Sequence, residues 1–115
     1  MSMCEYVCVY GATAGEAAQL CAEALDLEAR HNGRTTISDN WSVANSAFLV
    51  RIVERPAGIR LPGECEVLVS VRHCDGAPAI HEPTDRIVDA IVERTAWGVE
   101  ADSDFPDYVD RVHRR

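Results

Sequence analysis

The chain has 115 residues, 47% hydrophobic and 26% charged, with a formal net charge of -8. That length fits one domain spanning 1–115, and that balance excludes a disordered chain and supports a core needing neither disulfides nor metal. A pI near 4.8 argues against direct binding to nucleic acid or to an anionic membrane.

Cys4 to Tyr10 predicts a strand, with Val7 and Val9 on one face and Tyr6, Cys8 and Tyr10 on the other. Both faces are largely apolar, which suggests a central strand. Gly11 to Glu16 reads as a turn into a helix, because Thr13 and Glu16 have capping-box spacing. Ala17, Leu20, Cys21, Ala24 and Leu27 extend a helical stripe to about Arg30, with Gly33 as a natural C-terminal residue.

Thr35 to Ser38 reads as a short strand and Asp39-Asn40 as a turn. Ala47 to Arg55 predicts the strongest strand, and the alternation from Cys65 to His73 predicts another. Thr84 is the expected N-cap of a second helix with Ile87, Val88, Ile91 and Val92 as its apolar stripe, closed by Trp97 and Gly98. Ser103 or Asp104, with Pro106, predicts a last short helix burying Phe105, Tyr108, Val109 and Val112. The order β-α-β-β-β-α-α predicts an α+β fold: an antiparallel sheet of about four strands, two main helices on one face and a short C-terminal helix. Its α-β-β-β-α stretch superficially resembles double-stranded-RNA-binding domains, but their basic cluster is missing and the corresponding helix is acidic.

Five cysteines, Cys4, Cys8, Cys21, Cys65 and Cys74, form no Cys-x-x-Cys pair, and their number is odd. Free thiols in a reducing cytosol are therefore expected. No apolar run approaches the roughly 18 residues of a membrane span. Met1 to Tyr10 lacks the basic and apolar regions of a signal peptide, so a cytoplasmic location is expected. His73, Cys74 and His81 invite a metal or nucleophile reading, but adjacent strand residues point to opposite faces and no zinc spacing exists, so no cofactor or metal is expected. Gly11 and Gly15 before a helix match an anion-binding loop only weakly.

Charge is unevenly distributed. From Glu82 to Asp110, nine of 29 residues are acidic and two are basic, giving -7. Asp85, Asp89 and Glu93 follow i, i+4, i+8 spacing, so they form one stripe on the second helix despite like-charge repulsion of roughly 0.2–0.5 kcal/mol per pair. Asp102, Asp104, Asp107 and Asp110 extend it. These seven residues are the expected partner-binding set. The expectation is a small non-enzymatic binding or inhibitor protein that occludes a basic surface of a larger protein, as phage anti-defence and immunity proteins do. The alternatives are a small metal-binding or thiol-dependent enzyme using Cys74, His73 and His81, and a homodimeric structural domain.

Overall fold

The computed structural model describes residues 4–34, 38–54, 65–73, 81–105 and 107–113. Its elements are β1 (Cys4–Tyr10), α1 (Ala14–Leu25), β2 (Arg30–Arg34), β3 (Asp39–Ala44), β4 (Phe48–Glu54), β5 (Val67–His73), α2 (Glu82–Arg94), β6 (Gly98–Ser103) and β7 (Arg111–His113). The strands form one antiparallel sheet in the order β2-β3-β4-β5-β1-β6-β7. The class is α+β as expected, but the sheet has seven strands among the described residues and not about four.

The extra strands lie where acidic or polar residues obscured the pattern. Strand β1 is central, as its apolar faces require, so it needs a ladder on each side; β5 supplies one and β6 the other. In β6, Val99 and Ala101 are buried while Glu100 and Asp102 face the other way. The expected closure of α2 at Trp97-Gly98 is therefore wrong: the helix ends with Thr95 as its C-cap, and Gly98 opens β6. No helix follows among the described residues. Residues 111–113 pair with β6, and Val109 and Val112, expected in a core, are 81% and 58% exposed. Pro106, the expected first-turn residue, lies outside the described residues.

Helix α1 starts as predicted. The Glu16 N–H donates to Thr13 Oγ1 at 3.2 Å and the Thr13 N–H to Glu16 Oε1 at 3.0 Å. It stops at Leu25, earlier than expected, because Asp26 adopts a left-handed conformation (φ 56°) and the Leu27 N–H reaches back to the Ala22 carbonyl. Gly33 consequently caps nothing; it sits in β2 with φ 135°, beside a register shift against β3. The expected turn at Asp39-Asn40 is the start of β3. The strand expected at Thr35 to Ser38 falls mostly on 35–37, outside the described residues. Gly11, at φ 90°, makes the turn from β1 into α1, and its N–H donates to Glu66 Oε2 at 2.9 Å. That donor is thus engaged within the chain.

Both helices pack on the sheet face presented by the odd residues of β1 and β5. Val7, Val9, Val50, Ile52, Val67, Val69, Val71, Leu20, Ile87 and Ile91 are buried there. Leu27 and Phe48 are only partly buried against this core. The opposite sheet face carries no helix among the described residues. Among the described residues no helix is long and apolar enough to cross a membrane.

The free-thiol expectation is overturned at two positions. Cys8 on β1 and Cys65 before β5 form a disulfide with a Cα–Cα distance of 5.5 Å; Cys4 and Cys21 are free, and Cys74 lies outside the described residues. The bond depends on strand register, which brings together residues 57 apart in sequence. Closing that loop stabilises the fold by about 4 kcal/mol in the chain-entropy estimate. The inference of a reducing compartment loses its premise, since such bonds persist mainly in oxidising surroundings.

Two outcomes follow. Ile91→Ala should lower unfolding free energy by about 2–5 kcal/mol in chemical denaturation, because Ile91 is 1% exposed between helix and sheet. Thiol titration in denaturant should count two more thiols after reduction than before; equal counts would show that Cys8 and Cys65 are unlinked.

Candidate functional site: charge on two faces of the sheet

Asp85, Asp89 and Glu93 lie on successive turns of α2, but the stripe is partly neutralised. The register Ala101↔Arg111 turns Arg111 of β7 toward the helix layer. Its Nη2 donates to Asp89 Oδ1 at 2.7 Å and its Nη1 to Asp85 Oδ1 at 3.5 Å. The stripe thus fastens the last strand, and among the described residues only Glu93 of the three has no such cation. The charge pattern was legible in the sequence; its internal partner, 22 residues beyond Asp89, was not.

Beneath the start of α2 lies an unanticipated group. Glu5, on the helix-facing side of β1, is fully buried. A buried carboxylate is costly unless hydrogen-bonded and paired. Glu5 Oε2 contacts His81 Nδ1 at 2.6 Å, and Oε1 accepts from Thr84 Oγ1 at 2.7 Å. Thr84 was the expected N-cap of α2; that position is held by His81, and the Thr84 hydroxyl serves Glu5 instead. His81 Nε2 contacts Asp107 Oδ2 at 3.2 Å, so carboxylates on both nitrogens favour the imidazolium. Burial lowers the His81 pKa, but the hydrogen bonds and charges of Asp107 and Glu5 outweigh it and leave it raised.

His73 also turns toward Glu5, with Nε2 3.6 Å from Oε1, and that nitrogen is buried without a hydrogen-bond partner. Phe105 packs edge-on to both imidazoles. The Tyr108 hydroxyl is likewise buried and unpartnered, and burial with the charges of Asp85 and Glu5 pushes it up to about 12. The structure therefore brings together His73 and His81, two of the three residues of the metal or thiol reading, while Cys74 lies outside the described residues. Among the described residues no group of three or more His, Cys, Asp or Glu is arranged to hold a metal ion.

The remaining acidic residues gather on the open sheet face. Tyr6, Cys8 and Tyr10 of β1, Leu68 of β5, the Cys8–Cys65 bridge and Val112 line a groove of about 360 Å³, bounded by Glu100, Asp102 and Asp110. Asp104 closes one end, accepting from the Cys4 N–H at 3.0 Å and lying 3.4 Å from the Tyr6 hydroxyl. Burial and then the charges of Asp110, Asp104 and Glu100 raise the Asp102 pKa, so these carboxylates share one field. Of the seven expected partner-binding residues, Asp102, Asp104 and Asp110 converge here. Asp107 serves His81, Asp85 and Asp89 serve Arg111, and Glu93 stands apart. Glu100, Tyr6 and Tyr10, which also line this groove, lie outside the expected set, although the alternation Val99-Glu100-Ala101-Asp102 was the available signal. No family model, no curated protein and no solved structure matches the chain.

The buried group yields a stability prediction with a defined pH sign. A raised folded-state pKa means His81 contributes stability fully below its ordinary value of 6.5 and loses it as pH rises through the folded value. The stability gap between wild type and His81→Gln should therefore narrow as pH rises from below 6.5 through the raised folded-state value, measured by denaturation midpoints. Glu5→Ala should cost about 1–3 kcal/mol, because it leaves the Thr84 hydroxyl and His81 Nδ1 without their acceptor.

Proposed function

We propose that the chain is a non-enzymatic binding protein that covers a basic surface of a larger protein, with the open-face groove as its contact region. The carrying observation is the convergence of Glu100, Asp102, Asp104 and Asp110 around half-exposed Tyr6 and Tyr10. Like-charged carboxylates held close together gain from an incoming cation, and tyrosine faces accept guanidinium groups by cation–π contact. A phage anti-defence or immunity-type inhibitor acting on a nucleic-acid-handling protein fits this profile of size and charge. The helix stripe plays a lesser part in this reading, because Arg111 already occupies Asp85 and Asp89.

A thiol or acid–base enzyme is supported by one observation, the meeting of His73 and His81 on Glu5. Against it, Asp107 occupies the outer nitrogen of His81, and the Thr84 hydroxyl donates to Glu5 and is no free nucleophile.

Calorimetric titration with a deca-arginine peptide tests the binding reading. Affinity should fall steeply between low salt and physiological salt, where the screening length is about 8 Å. Glu100→Gln with Asp102→Asn and Asp110→Asn should weaken binding by about tenfold or more, and Glu23→Gln with Glu82→Gln and Glu93→Gln, an equal charge change at exposed positions of the helix layer, by less than about threefold. Binding that is absent at low salt, or insensitive to the open-face change, would overturn the reading.

A further inference from the structure

The open face has a cationic side as well as an acidic one. The ladders align its side chains in rows across the strands. One row runs Ser42, Arg51, Ser70, Tyr6, Asp102, from β3 through β4, β5 and β1 to β6. The next runs Leu49, Arg72, Cys4, and the Asp104 N–H donates to the Cys4 carbonyl at its end. Arg51 and Arg72 are exposed, and neither has an ion pair among the described residues. With strands about 4.8 Å apart, Arg51 and Asp102 stand about 14 Å apart, on opposite sides of the boundary between β5 and β1. Between and beside them lie the half-buried Tyr6, Tyr10, Leu49, Val53 and Leu68.

This pattern is its own complement. A two-fold axis parallel to the strands, placed over the β5/β1 boundary, lays β4 of one copy over β6 of the other. Arg51 of each copy then meets Asp102 of the other, with Glu100 one step along the strand, while β1 of each copy lies over β5 of the other, Tyr6 over Ser70 and Cys8 over Leu68. An axis perpendicular to the strands would stack Arg51 on Arg51, so charge selects the first arrangement. Sheets pack face to face about 10 Å apart in this way. A pair of this kind must bury about 1,200 Å² in total, about 600 Å² per copy, to stand among specific interfaces.

We infer that two copies of the chain pair through their open sheet faces, with Arg51 of each copy on Asp102 of the other. The pairing covers the acidic groove, so a basic partner competes with the second copy for it; that consequence alone rests on the binding reading above.

The test is the mass of the full chain in solution by light scattering and sedimentation over a series of chain concentrations up to about 100 µM, since pairing follows mass action. Wild type should show twice the 12.6 kDa chain mass. Arg51→Asp and Asp102→Arg should each give single chains, because both contacts of the pair become repulsive. An equimolar mixture of these two variants should return to the paired mass, since both contacts are then attractive, and so should the double variant Arg51→Asp/Asp102→Arg. Arg86→Asp makes the same charge change on the helix layer and should leave the paired mass unchanged. A single-chain wild type, single variants that stay paired, or a mixture that fails to pair would overturn the inference. Deca-arginine titration separates the two ideas. The unpaired Arg51→Asp variant should bind the peptide at least about threefold more tightly than wild type at the same concentration. A wild type that binds the peptide as a single chain sinks the pairing and leaves the binding reading standing. A paired wild type with no peptide affinity in either form does the reverse.

Discussion

The burial of Glu5 constrains much of the rest. A carboxylate fully buried on the helix-facing side of a central strand is cut off from bulk solvent, so the chain must bring polar partners to it. His81 and Thr84 do so from the first turn of α2, which fixes where that helix lies along the sheet. The outer nitrogen of His81 then engages Asp107, and four residues later Arg111 closes on Asp85 and Asp89. The C-terminal segment is held by electrostatic contacts to α2 and a three-residue ladder to β6, with Tyr108 packed against the core. Apolar packing defines the two layers; this polar chain specifies their alignment.

That polar chain redistributes the acidic residues, which look like one population in the sequence. Some are structural: Asp85, Asp89 and Asp107 tie the last strand and its approach to α2. Others, Glu100, Asp102, Asp104 and Asp110, lie together on the far face. Linear charge density did not separate these two groups, because a cation distant in sequence is adjacent in space.

The sequence disclosed what rests on local periodicity. The alternation in β1, β4 and β5, the capping box of α1 and the apolar stripe of α2 all appear where the residues placed them. It was silent on what rests on register. Strand β6 was masked by Glu100 and Asp102, which face outward and break the apolar signature while Val99 and Ala101 fill the core. Strand β7 is too short to carry a pattern. The Cys8–Cys65 bond and the meeting of His73, His81 and Glu5 require knowing that β1 pairs with β5 and packs under α2. The central position of β1, legible from its two apolar faces, did imply a second flanking strand; carried through, it would have led to β6.

The two borders of the sheet differ from its broad open face in one respect that governs how the molecule can aggregate. Strand β2 is exposed along its whole length, carries Arg30 and Arg34, and has a register shift next to Gly33; β7 is three residues long. Interrupted, charged or very short borders are poor templates for adding further strands. Lateral growth into extended fibrils is thereby disfavoured at both ends, whereas a two-fold contact across the face uses up its own surface and stops. The molecule can expose tyrosine, leucine and valine on a sheet surface without inviting open-ended polymerisation.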